Sequence, residues 1–125
     1  MARILIAEDD RISQKLAVRI VEELGHTALV SPHGKHAYET LMNNDVDMLL
    51  TDIMMPEMDG QQLIKTLRGD QKFADLPIVI MSAVVGINDI SNLLKLGATL
   101  FLAKPLNREE LQSYISRCLA GKACS

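Results

Sequence analysis

The chain has 125 residues, enough for one domain with its own hydrophobic core. Apolar residues make up 48% of it, which excludes a disordered chain, and the formal net charge of −3, with Lys and Arg scattered, leaves no electrostatic footprint for direct nucleic-acid binding. No apolar run approaches the ~20 residues that span a bilayer. Met1-Ala2-Arg3 leads into only four apolar residues, so neither a membrane segment nor a signal peptide is expected. Cys118 and Cys124 lack Cys-x-x-Cys spacing and read as reduced thiols of a cytoplasmic protein.

The first predicted strand is Ile4 to Ala7, followed by a helix from Ile12 to Leu24 whose apolar positions are Ile12, Leu16, Ala17, Ile20, Val21 and Leu24, with Gly25 as its stop. Thr27 to Val30 is the weakest strand and is expected at an edge; Lys35 to Met42 follows as a helix. Met48 to Thr51 is a strand and Gln61 to Arg68 a helix with Leu63, Ile64 and Leu67 inward. Ile78 to Met81 precedes a helix over Asn88 to Leu96, and Leu100 to Ala103 precedes one over Asn107 to Leu119, opened by the capping pair Asn107 and Glu110. Residues 121–125 are expected as a C-terminal tail on a domain of residues 1–120. Strand and helix alternate throughout, and four strands are almost continuously apolar, which implies a mainly parallel sheet with helices on both faces.

Open parallel sheets carry their chemistry at the carboxyl ends of the strands. There the chain places Glu8-Asp9-Asp10, then Asp52, Ser82 and Lys104, while the second strand ends in the uncharged Ser31-Pro32. Two carboxylates ~4 Å apart repel by about 4 kcal/mol at an effective dielectric of 20, so the acidic group calls for cations. Lys104 supplies one, and a hard divalent ion such as Mg²⁺ would supply the rest. Carboxylates, Mg²⁺ and a lysine suit a phosphoryl group: the cations neutralise its oxygens, the Asp52 carboxylate is an available nucleophile, and Ser82 can donate a hydrogen bond. Asp10 reads as a helix cap or a solvated residue, His33 and His36 as a solvated pair, and His26 as structural.

Over nearly its whole length the sequence resembles the response-regulator receiver family. The marks are Glu8-Asp9, the run Asp52-Ile53-Met54-Met55-Pro56-Glu57-Met58-Asp59-Gly60, Ser82-Ala83 and Lys104-Pro105. Their spacing is also similar: Asp52 lies 43 residues after Asp9, Ser82 30 after Asp52, and Lys104 52 after Asp52. The resemblance implies a (βα)5 doubly wound, flavodoxin-like fold with strand order 2-1-3-4-5. It implies phosphoryl transfer onto Asp52 from a histidine kinase or histidine phosphotransfer protein. Asp9 and Asp52 would hold Mg²⁺ with Glu8, Glu8 through water, and the Met54 carbonyl would be a further ligand. Lys104–Pro105 would be a cis peptide. Ser82 and Phe101 would form the switch, Ser82 in place of the commoner Thr and Phe101 in place of the commoner Tyr. Output would pass through a downstream target protein or an output domain of a longer chain.

Rival readings fit less well. A phosphatase of the aspartate-nucleophile type wants a second Asp two residues past the nucleophile, where Met54 stands. A dinucleotide-binding domain wants a glycine-rich turn after the first strand, where three carboxylates stand. A receiver reduced to protein binding would not need every acceptor group to be present. The chain is therefore expected to be a phosphoacceptor signalling domain that catalyses only its own phosphorylation and dephosphorylation. Met54 and Val84, apolar and beside the expected path of water, imply a long-lived phosphoprotein.

Overall fold

The computed structural model describes residues 2–53, 55, 57–82, 87–104 and 106–124; of 87–90 and 120–124 it describes the helical backbone alone. In chain order the elements are β1 (Arg3–Ala7), α1 (Arg11–Glu23), β2 (Thr27–Ser31), α2 (Gly34–Asn43), β3 (Met48–Asp52), α3 (Gly60–Arg68), a 3₁₀ turn over Gln71–Phe73, β4 (Ile78–Ser82), α4 (Ile87–Leu96), β5 (Leu100–Ala103) and α5 (Arg108–Cys124). The strands form one parallel sheet in the order β2-β1-β3-β4-β5, the expected doubly wound arrangement. β2 lies at an edge as expected, with Val30 39% exposed. α5 carries on through Cys124, past Leu119, where the sequence reading ended it.

Side chains alternate across the sheet and so build two cores. Ile4, Ile6, Met48, Leu50, Val79, Met81 and Leu102 pack with Ala17, Ile20 and Val21 of α1 and Leu111, Ile115 and Cys118 of α5. Leu5, Ala7, Leu49, Ile78 and Ile80 pack on the other face with Ala37 and Leu41 of α2, Leu63, Ile64 and Leu67 of α3 and Leu93 of α4. Burying one such Leu or Ile fully contributes about 1.5–3 kcal/mol, so the two faces carry most of the fold.

One stripe differs from its sequence reading. Ile12 is 80% exposed and Leu16 38%, whereas Ala17, Ile20 and Val21 are buried. At about 100° per residue, Ile12 stands ~140° around the helix from Ala17, so the two cannot share a face. Met42 and Leu94 are likewise half exposed beside the buried Leu41 and Leu93.

Two helix starts bear on the site. Asp10 caps α1 by accepting from the Ser13 N–H at 2.9 Å, as expected for it. Asp59 caps α3 in a reciprocal pair with Gln62. Gly60, the next residue, donates its N–H to the Ile53 carbonyl at 2.7 Å, and a Cβ there would lie 2.5 Å from the Asp52 carbonyl oxygen. The α3 terminus can seat this close to the end of β3 only with glycine at that position.

Candidate functional site

The parallel register assembles the site. Ala7 pairs with Thr51, so the residues that follow them, Glu8 and Asp52, emerge side by side. Asp52 pairs with Met81 and Ser82 with Ala103, which brings Lys104 to the same edge. The Glu8 N–H donates to the Ser31 carbonyl at 3.0 Å and the Lys104 N–H to the Ser82 carbonyl at 2.9 Å, extending the strand ladders past their ends.

Lys104 then reaches back over the sheet. Its Nζ donates to Glu8 Oε1 and, at 2.9 Å, to Asp52 Oδ2. The other Asp52 oxygen, Oδ1, accepts from the Ile53 N–H at 2.7 Å. Glu8 is wholly buried, while the Asp52 and Lys104 side chains keep 13% and 16% of their exposure. Asp9 is exposed beside them. Carboxylate oxygens of Glu8, Asp9 and Asp52 all lie within 4.8 Å of one another.

Burial dominates the electrostatics. It pushes the Glu8 carboxyl up from 4.5 to about 7, with Asp52 adding to the rise and the Lys104 hydrogen bond opposing it. Burial also works against the Lys104 charge, but hydrogen bonds to Glu8 and Asp52 outweigh it and raise that pKa. With all three carboxylates ionised, one ammonium leaves two negative charges among groups that range from buried to exposed. Oxygen donors at this spacing, with that charge, suit a hard divalent cation such as Mg²⁺.

Glu8, Asp9, Asp52, Ser82 and Lys104 therefore stand together at one end of the sheet, Ser82 8% exposed at the tip of β4. Phe101 lies further down β5, opposite Ile80 and partly buried against the α2–α3–α4 core. Met54, Pro56, Ala83, Val84 and Pro105 fall outside the described residues, and with them the Met54 carbonyl ligand, the water-shielding pair and the Lys104–Pro105 cis peptide.

Some neighbours were not anticipated. Gln14, in the first turn of α1, donates its amide to the Glu8 backbone carbonyl. His33 and His36 are not merely solvated: His33 caps α2, and His36 Nδ1 lies 2.8 Å from Oγ of the buried Ser31. His26 accepts from the Ala2 N–H at 3.0 Å, a structural role as expected. The His33 cap is local, three residues from the His36 N–H it accepts, whereas His26 and Ala2 lie 24 residues apart and no local spacing announces that contact.

The chain has relatives among known proteins. The family described as the response regulator receiver domain matches residues 4–116. The chain is 30% identical over 119 residues to a chemotaxis protein CheY homolog of Campylobacter jejuni, covering 94% of this chain and 92% of that protein. It is similar to the signal receiver domain of a histidine kinase from Syntrophus aciditrophicus, with 30% identity and a TM-score of 0.89 over 97% of this chain and 92% of that one. It is also similar to the receiver domain of a sensor histidine kinase from Pseudomonas aeruginosa PAO1, a structure with a magnesium ion coordinated in its active-site cleft, with 27% identity and a TM-score of 0.88 over 95% and 98% of the two chains. The acidic end of the sheet, the strand order and these matches agree, and the chain belongs to the response-regulator receiver domains of two-component signalling.

Proposed function

We propose that this receiver accepts a phosphoryl group on Asp52 from the phosphohistidine of a histidine kinase or histidine phosphotransfer protein, and that the phosphorylated form controls a target protein or an output domain. The observation that carries this reading is Lys104 Nζ bonded at once to Glu8 and Asp52 at the carboxyl end of the sheet. An Asp52 oxygen attacks phosphorus, the P–N bond of the donor breaks, and the imidazole leaves with the bond's electron pair. The Ile53 N–H fixes the plane of the nucleophilic carboxylate through Oδ1. Lys104, already at the carboxylate, is placed to neutralise charge on the phosphoryl oxygens. Glu8, Asp9 and Asp52 would hold Mg²⁺, which when bound shares in that neutralisation.

Ser82, at the tip of β4, would hydrogen-bond a phosphoryl oxygen, and Phe101 would repack in response, shifting a two-state population. The protein would act in the cytoplasm and catalyse no reaction beyond its own phosphorylation and dephosphorylation. The receiver is assigned to residues 1–120. The test is incubation with acetyl phosphate and Mg²⁺ followed by intact-mass measurement. Wild type gains one phosphoryl group that is lost at alkaline pH, and Asp52→Asn gains none. Full incorporation by Asp52→Asn refutes the acceptor assignment.

A further inference from the structure

We infer that Gln14 is the positioning residue that holds the acidic cluster in its cation-binding shape, an inference resting on the function proposed above. Glu8 has both main-chain polar atoms tied: its N–H to the Ser31 carbonyl at 3.0 Å, and its carbonyl to the Gln14 side-chain amide. The Glu8 carbonyl and the Asp9 N–H belong to one rigid peptide plane. Fixing that carbonyl therefore fixes the peptide plane and the Cα from which Asp9, the one exposed carboxylate of the cluster, projects.

The cluster needs such a hold. Asp9 lies past the end of β1 and before α1, where no strand ladder restrains it. Its carboxylate stands within 4.8 Å of those of Glu8 and Asp52, where like charges repel. Gln14 reaches back from a helix turn that is itself anchored, because Asp10 caps α1 and the Gln14 N–H donates to the Asp10 carbonyl at 2.9 Å. A neutral amide does this without adding a charge that would compete with the cation. Groups that orient metal ligands in this way typically change metal affinity 10–100-fold when removed.

The experiment is a Mg²⁺ titration of wild type and Gln14→Leu by calorimetry, with labelling by acetyl phosphate measured over a range of Mg²⁺. Gln14→Leu should bind Mg²⁺ about tenfold more weakly, its half-saturating Mg²⁺ concentration for labelling should rise equally, and its rate at saturating Mg²⁺ should match wild type. Equal Mg²⁺ affinity in the two proteins, with or without a loss of metal-free stability, overturns the inference and leaves the proposed function standing. A labelling rate that stays low at saturating Mg²⁺ also overturns it. Wild type that binds no Mg²⁺ overturns both. Should Gln14→Leu fail to fold, a trans-hydrogen-bond NMR coupling from Gln14 Nε2 to the Glu8 carbonyl in wild type decides: its presence supports the hold and its absence refutes it.

Discussion

On the proposed function, the Glu8 carboxyl should make both stability and Mg²⁺ affinity depend on pH, in opposite senses. In the metal-free protein burial raises it from 4.5 to about 7. Between those values the folded state keeps a proton that the unfolded chain releases. The stability tied to that proton is fully present below pH 4.5 and is lost as pH rises to about 7. A rise of this size is worth at most about 3 kcal/mol, and solvent reaching Lys104 and Asp52 reduces it. The cation requires Glu8 ionised, so protonation competes with it. For a carboxyl at about 7, the ionised fraction falls from ~0.9 at pH 8 to ~0.1 at pH 6, weakening apparent Mg²⁺ affinity about tenfold. The assay is a set of thermal melts with and without Mg²⁺ at pH 6, 7 and 8. Without metal, wild type should melt lower at pH 8 than at pH 6, and Mg²⁺ should raise the melting temperature most at pH 8. Glu8→Gln should flatten both trends. A Mg²⁺ shift equal at pH 6 and pH 8, or a metal-free stability that rises with pH and is unaltered by Glu8→Gln, would refute the reasoning.

Other expectations can be measured directly. Arg68 donates from Nε to the Gly97 carbonyl at 2.9 Å and from Nη1 to the Phe73 and Ala74 carbonyls at 2.7 and 3.3 Å. Arg68→Met should cost about 2–3 kcal/mol by orphaning them, and urea unfolding within 0.5 kcal/mol of wild type would show the clamp to be idle (a threshold of roughly half a typical hydrogen bond). Leu50, wholly buried on the α1–α5 face, should cost about 2–5 kcal/mol as Leu50→Ala, again by urea unfolding. Ser82→Ala should still be phosphorylated but show smaller amide-shift changes around Phe101; changes as large as in wild type would remove Ser82 from the switch.

Much of the architecture was legible because parallel strands covered on both faces need continuous apolar runs, and Met48 to Thr51 or Ile78 to Met81 have few other uses. The site was legible for a related reason: polar residues directly after such runs, as at Glu8, Asp52 and Lys104, have nowhere to go but the sheet's carboxyl edge. What stayed hidden depends on angle and depth. Ile12 continues a plausible apolar pattern, yet its azimuth carries it off the buried face. Arg68 and Gly97 are 29 residues apart and meet only after α3 and α4 pack. The side-chain amide of Gln14 reaching the Glu8 carbonyl likewise depends on how α1 packs beside the end of β1.

The depth of Glu8 also explains why the site should respond to ligands at all. A carboxylate with no exposure, matched by a lysine that also serves Asp52, is costly: replacing such buried charges with apolar groups often leaves a fold as stable or more so. Packing alone therefore gives no reason for Glu8, whereas a bound cation would. A cation would add favourable interactions only in the folded state, where oxygens of the three carboxylates are already gathered within 4.8 Å. Cation binding would relieve repulsion already present in the fold, and by mass action that relief would appear as added stability. The end of the sheet where these carboxylates crowd is thus the end whose conformation a cation should shift most readily.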